Sequence, residues 1–187
     1  MIEDEILELS PPSSFKAEQL VLGSLLLDNR VFGKVISVMS ASDFHYSDHR
    51  LIFLAISHLL NSDLPADVLT VLGVLKKIGQ DQNIGGLAYL NTIATNTTST
   101  ENVRRYAEIV RGTFIRRSIL EIGQDMLKMV REPESFSVGA IIEHAQERLF
   151  ALSNTKPKAN NGLQHISVSI SRLDEPCDCE VNHPNSQ

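Results

Sequence analysis

The chain has 187 residues, 42% of them hydrophobic and 21% charged, with no Trp, two Cys and a formal net charge of −6. That length suffices for one compact core of roughly 150 residues with tails, and the composition excludes a wholly disordered chain. No stretch approaches the roughly 18 apolar residues of a membrane span, the start Met1-Ile2-Glu3-Asp4-Glu5 carries acids where a secretory leader carries bases, and Cys177 and Cys179 lie too close together to staple a fold, so the expectation is a cytoplasmic protein without a disulfide framework.

After an acidic segment over residues 1–10, Ser13 and Ser14 precede a long apolar-periodic run. Glu18 stands near the place where a capping box wants an acid, and Gly23 stands where another helix would approach closely. Leu20, Val21, Leu22, Leu25, Leu26 and Leu27 predict a helix buried on much of its circumference. Asp28-Asn29-Arg30 breaks it before a second segment, Val31 to Met39. Ser42-Asp43-Phe44 and Ser47-Asp48 supply caps ahead of a helix over 49–60 that buries Ile52, Phe53, Ile56, Leu59 and Leu60. Asp67 caps the next, Val68 to Lys77, whose last turn carries Lys76 and Lys77 where the helix dipole favours cations. Gly79 ends it, and Gly85-Gly86 leads into a short helix over 87–94.

The polar run Thr95 to Thr100 separates this head, residues 11–95, from a different element over 99–153. A helix of about thirty residues from Glu101 to Arg131 carries a seam of Val103, Tyr106, Ile109, Val110, Phe114, Ile115, Ile119, Ile122, Met126, Leu127 and Val130. Glu132-Pro133-Glu134 breaks it, and Val138 to Leu152 returns, with Ile141, Ile142, Ala145, Leu149 and Phe150 on one side. Two helices joined by a short Pro-containing turn make an antiparallel hairpin. Projecting beyond a small head, it needs a partner for its outer seam. Residues 154–175 read as a linker followed by one amphipathic helix on Leu163, Ile166, Ile170 and Leu173, and 176–187 as a disordered tail. The expected fold class is all-α.

Seven bases against four acids make the stretch Ser99 to Arg131 mildly basic between acidic ends. A solvated helix face explains that better than nucleic-acid binding, and the sparse aromatics are not interleaved with the bases as a stacking platform requires. Gly33-Lys34 lacks the glycine and hydroxyl residue of a phosphate loop. Asp43, His45, Asp48 and His49 read as caps and surface polar groups rather than metal ligands. Cys177, Cys179 and His183 lack a fourth ligand. No catalytic residue, cofactor or metal site is assigned, and direct DNA binding is expected to be weak or absent.

Pro11-Pro12-Ser13-Ser14-Phe15-Lys16-Ala17-Glu18-Gln19-Leu20-Val21-Leu22-Gly23-Ser24-Leu25-Leu26-Leu27-Asp28-Asn29 resembles the opening signature of the N-terminal domain of DnaB-type replicative helicases. Asp43-Phe44-His45 with His49-Arg50-Leu51-Ile52-Phe53, then Ile84-Gly85-Gly86-Leu87-Ala88-Tyr89-Leu90, and Asn102-Val103-Arg104-Arg105-Tyr106-Ala107-Glu108-Ile109-Val110-Arg111 are similar to the same family. The resemblance runs from Pro11 to Ser153.

It implies a head of short helices and a hairpin. In the family these domains pair through their hairpins into a collar above a hexameric motor ring, and the collar engages primase. Ile119, Ile122, Met126, Ile141, Ala145 and Leu149 are the residues expected nearest a hairpin contact between two copies. Leu163, Ile166, Ile170 and Leu173 resemble the linker helix that docks on a neighbouring motor. Where an ATPase domain would follow, the chain reads Pro176-Cys177-Asp178-Cys179-Glu180, so helicase activity is not expected of this polypeptide. The expected partners are a second copy, a helicase motor or full-length helicase, primase and a helicase loader. The alternatives are a regulator that acts in trans on helicase assembly, and a truncated product without function.

Overall fold

The computed structural model describes residues 12–154, and among them the chain forms seven α-helices, two 3-10 turns and no strand. The all-α expectation therefore holds. The acidic segment 1–10, the linker helix on Leu163, Ile166, Ile170 and Leu173, and the Cys177, Cys179 and His183 tail lie outside the described residues.

Helix α1 (Phe15–Leu27) runs through the middle of the head, with other helices packed around it. Val21, Leu22 and Leu25 are fully buried and Ala17 and Leu26 nearly so, which is why its apolar residues do not keep to one stripe. The break at Asp28-Asn29-Arg30 becomes a 3-10 turn (Asn29–Val31) capped by Asp28, and α2 is only Phe32–Ile36, shorter than the predicted segment to Met39. Asn29 explains the geometry. Its Nδ2 donates to the carbonyls of Leu25 and Ala66, both at 2.8 Å, and its Oδ1 accepts from the Ala66 N–H at 3.0 Å. One amide side chain thus ties the end of α1 to the approach of a helix nearly forty residues further on.

A 3-10 turn (Ala41–Asp43) leads into α3 (Ser47–Asn61), which buries Ile52, Phe53, Ile56 and Leu59 as predicted, with Leu60 half-buried. Helix α4 (Val68–Lys77) begins at the expected cap. Asp67 Oδ1 accepts from the N–H groups of Leu69 and Thr70 at 2.8 Å, and Lys76 and Lys77 occupy the last turn. Consecutive positive φ angles of 79° and 62° at Gly85 and Gly86 open α5 (Gly86–Thr95), a conformation that side-chain-bearing residues rarely adopt.

Helix α5 crosses α1 at Gly23. A Cβ there would collide with Thr97 Oγ1 and stand 2.7 Å from the Ile93 carbonyl oxygen. Alanine gains about 1 kcal/mol in helix propensity, but overpacking against a backbone carbonyl costs about 1–3 kcal/mol. Gly23→Ala is therefore expected to be net destabilising, by up to about 2 kcal/mol in chemical denaturation. Adding Thr97→Ala should return part of that loss by removing the hydroxyl. A Gly23→Ala protein more stable than wild type would show that the two helices part without cost.

Helix α6 (Val103–Arg131) is about 44 Å long. Its first turns belong to the head: Val103, Ala107 and Val110 join the core formed by α1, α3, α4 and α5. Helix α7 (Val138–Asn154) returns along its second half. The predicted single seam along α6 is therefore two surfaces. Val103 and Val110 are buried in the head, whereas Ile109, Ile119, Leu127 and Val130 are exposed, because head and hairpin cover different faces of the same helix.

Candidate functional site

The hairpin is closed by a few contacts along its inner face. Ile122 of α6 and Ala145 of α7 are 4% and 8% exposed, the small alanine letting the two backbones approach. Arg148 Nη1 donates to Asp125 Oδ2 at 3.2 Å beside them, and Ser137 Oγ accepts from the Ala140 N–H at 3.2 Å at the start of α7. The outer faces are different in kind. Ile119 is 50% exposed, Val130 60% and Phe150 71%, and Leu127, Val138, Ile142 and Leu149 are also exposed. Ile119, Met126 and Val130 share a face of α6 by their spacing of seven and four, as Ile142 and Leu149 do on α7.

Of the six residues expected at a contact between copies, the structure thus places Ile122 and Ala145 inside the hairpin of a single chain. Ile119 and Leu149 are on its exposed outside, and Met126 and Ile141 lie between. Sequence spacing could not separate the inner from the outer stripe, since both are apolar. Phe150, Val138 and Leu127, the most exposed apolar residues of the hairpin beside Val130, were not singled out.

Where the long helix leaves the head, a polar cluster joins five segments of the chain. Glu18, set by its position to cap α1, does not do so: Ser14 makes no side-chain cap bond, and the Glu18 side chain is fully buried. It accepts from the His45 N–H at 2.8 Å and pairs with His49 Nδ1 at 2.7 Å. His49 Nε2 lies 2.6 Å from the Tyr89 hydroxyl, which also accepts from Gln19 Nε2 at 3.3 Å. With the phenolic proton donated to Nε2 and the Nδ1 proton to Glu18, both ring nitrogens of His49 are satisfied. Burial pushes the Tyr89 hydroxyl above its usual range, partly countered by Gln19.

Asp43 is equally buried. Arg111 Nη1 donates to its Oδ1 at 2.9 Å and the Ser40 N–H to its Oδ2 at 3.1 Å, yet loss of solvent outweighs them and raises its carboxyl above the ordinary carboxylate range. Arg117 is 8% exposed, against the expectation of a solvated basic face. Its Nη2 donates to the Asp43 carbonyl at 2.7 Å and its Nη1 to the Pro12 carbonyl at 2.8 Å. Burial lowers its affinity for the proton, with Glu18, Glu121 and Asp43 acting in the opposite sense. Arg104 and Arg105, both on Glu108, are solvated as expected. Asp43 and His49 are thus structural polar groups buried in the cluster, and His45 takes part through its backbone. No group of three or more His, Cys, Asp or Glu side chains among the described residues is arranged to hold a metal ion.

A head closed by buried polar ties and continued by a two-helix arm with an apolar outer face defines an all-helical head-and-hairpin domain. Residues 10–112 match the family described as DnaB-like helicase N terminal domain, more than half of the chain, and the chain belongs to that family. It is 31% identical over 156 residues to the replicative DNA helicase DnaB of Haemophilus influenzae, covering 83% of this chain and 33% of that protein. It is 28% identical over 160 residues to the DnaB of Synechocystis, covering 86% and 18%. The chain thus spans about a third or less of the length of these relatives, and the part it matches is their N-terminal, non-motor portion.

Among solved structures it is similar to the N-terminal domain of DnaB helicase from Mycobacterium tuberculosis, with a TM-score of 0.71 and 28% identity over 75% of this chain and 99% of that one. A DnaB-like replicative helicase whose structure is described together with its interactions with primase shares the fold, with a TM-score of 0.62 and 19% identity, over 88% of this chain and 37% of that one. The chain is accordingly a helicase N-terminal domain of the kind found in DNA-replication helicases, all-α among the described residues. No helix among the described residues is long and apolar enough to cross a membrane.

Proposed function

We propose that this chain is an assembly and partner-binding collar domain of a cytoplasmic replicative helicase, which pairs with a second copy through the outer face of its hairpin and presents the resulting surface to primase or a helicase loader. The division is a head over 11–95, a hairpin over 99–153 and a linker over 154–175, with Leu163, Ile166, Ile170 and Leu173 docking on a helicase motor. The observation that carries the reading is the apolar outer surface of α6 and α7, where Ile119, Leu127, Val130, Val138, Ile142, Leu149 and Phe150 are all exposed. So many exposed large apolar side chains on one arm mark an interaction surface. Ile122 and Ala145 contribute by holding the two helices together, and Ile119, Met126, Ile141 and Leu149 by lying on or beside the surface itself.

Light scattering at tens of micromolar is expected to show a dimer or larger assembly. Leu149→Glu with Ile142→Glu should weaken self-association at least about tenfold, since each buries a charge in an apolar contact, while far-ultraviolet circular dichroism stays helical. A strict monomer at that concentration would overturn the pairing. Incubation with ATP and single-stranded DNA is expected to give no hydrolysis.

A further inference from the structure

We propose that the outward face of α4 is a self-complementary contact, at which two copies of this chain meet with their α4 helices antiparallel. Helix α4 turns Val71, Leu72, Val74 and Leu75 into the head and leaves Leu69, Gly73 and Lys76 exposed, at spacings of four and three that put them on one line. Leu69 is 69% exposed, the most exposed large apolar side chain of the head among the described residues. A Cβ at Gly73 would meet nothing within 4 Å. Neither residue serves the single chain. An outward leucine adds nothing to the core, and a glycine in the middle of a ten-residue helix weakens it at a position where alanine would fit. Together they make a knob and a gap, the gap letting a second backbone come close.

A two-fold axis across the middle of α4 makes the residues of two copies oppose each other about a common midpoint. Leu69 and Gly73 are centred on residue 71, so each leucine enters the gap at the other copy's glycine. Asp67 and Lys76 are centred between residues 71 and 72, within about 1 Å of helix rise of the first midpoint. The same axis therefore sets each Asp67 carboxylate beside the other copy's Lys76 ammonium. Asp67 gives Oδ1 to the cap of α4, and its Oδ2 takes none of those bonds. Capping and the helix dipole explain Asp67 and Lys76 within one chain; they do not explain Leu69 or Gly73. A face of ten residues is smaller than the roughly 1,200 Å² of a stable free-standing interface, so this contact is weak alone and gains effect between copies already held together elsewhere. Its residues lie outside the hairpin, and it does not depend on pairing there.

The test is made on the full chain carrying Ile142→Glu and Leu149→Glu, so that pairing through the hairpin does not mask it. Sedimentation equilibrium up to about 1 mM is expected to show a reversible monomer–dimer exchange, and the amide signals of residues 67–77 should shift with protein concentration. Adding Gly73→Gln should weaken the association at least about tenfold by filling the gap. It should also raise the thermal midpoint measured at low concentration, since glutamine is the better helix former and its Cβ meets no neighbour in its own chain. Those opposite signs separate a contact between copies from a fault in folding. Leu69→Ala should weaken the association about fivefold. Lys76→Glu should do the same, and adding Asp67→Asn, which keeps a cap, should return part of that loss by removing the repulsion. A strict monomer at the highest concentration would overturn the proposal, as would an association that Gly73→Gln leaves unchanged. Either result leaves the hairpin reading untouched, because that reading is tested by the loss of assembly on Ile142→Glu with Leu149→Glu in the otherwise unchanged chain.

Discussion

Glu18→Ala is expected to destabilise the domain by about 3–5 kcal/mol, more than any other single change to the cluster. The Glu18 carboxylate is the shared acceptor of the His45 N–H and of His49 Nδ1, at 2.8 and 2.7 Å, with side chains that see no solvent. A hydrogen bond to a charged group is worth about 1.5–3 kcal/mol, and alanine strands two such donors where water cannot replace the acceptor. The lost methylene volume adds a cavity cost in the same direction. Urea denaturation should show a lower midpoint with an unchanged slope, and the thermal midpoint should fall by roughly 10–15 °C for a domain of this size. Glu18→Gln keeps one acceptor oxygen but turns an amide donor toward the second donor, so its loss should lie between wild type and alanine. An alanine variant within about 1 kcal/mol of wild type would mean that the cluster only fills space.

Glu18 also shows where sequence reading stops. Its position one residue beyond the usual capping site was legible, but its partners are 27 and 31 residues away, and nothing local signals them. Local chemistry was legible in part: Ser47 and Asp48, expected to cap α3, lie inside its first turn behind Tyr46, which makes no side-chain cap bond, whereas other local signals held. Asp67 caps α4 through atoms two and three residues on, Lys76 and Lys77 close it, and Gly85 and Gly86 take the left-handed conformation that their pairing suggested. Gly23, expected at a close helix approach, meets Ile93 of α5 and Thr97 just beyond its end. The hairpin was legible as two helices around Pro133. Its faces were not, because α6 is apolar toward the head, toward α7 and toward solvent in turn. A periodicity count sees one seam where the fold makes three environments. Spacing alone called for a partner on the projecting arm, and the family resemblance added the expectation that this partner is a second copy.

The junction where these environments meet depends on Arg117, and its removal is the second large effect expected. Arg117 holds three segments that are distant in sequence. It lies on α6, donates to Pro12 ahead of α1, and donates to Asp43 in the turn before α3. Its guanidinium also lies 5.9 Å from the centre of the Phe114 ring, with Arg111 at 5.2 Å from the same ring. Methionine conserves much of the volume but strands the buried Asp43 carbonyl and frees the Pro12 segment, so Arg117→Met should cost about 2–4 kcal/mol. Removing the buried cation also relieves its desolvation, which keeps the loss below that of Glu18→Ala. Arg117→Lys should recover at most half, because one ammonium cannot reach both carbonyls from the fork's position. Denaturation midpoints of the three proteins decide it. Hydrogen exchange adds a second reading: amides of residues 13–18 and 41–46 should lose protection in Arg117→Met before those of α4 do. If methionine matches wild type in both measurements, the long helix is held to the head by Val103, Ala107 and Val110 and by the Arg111–Asp43 pair without help from Arg117.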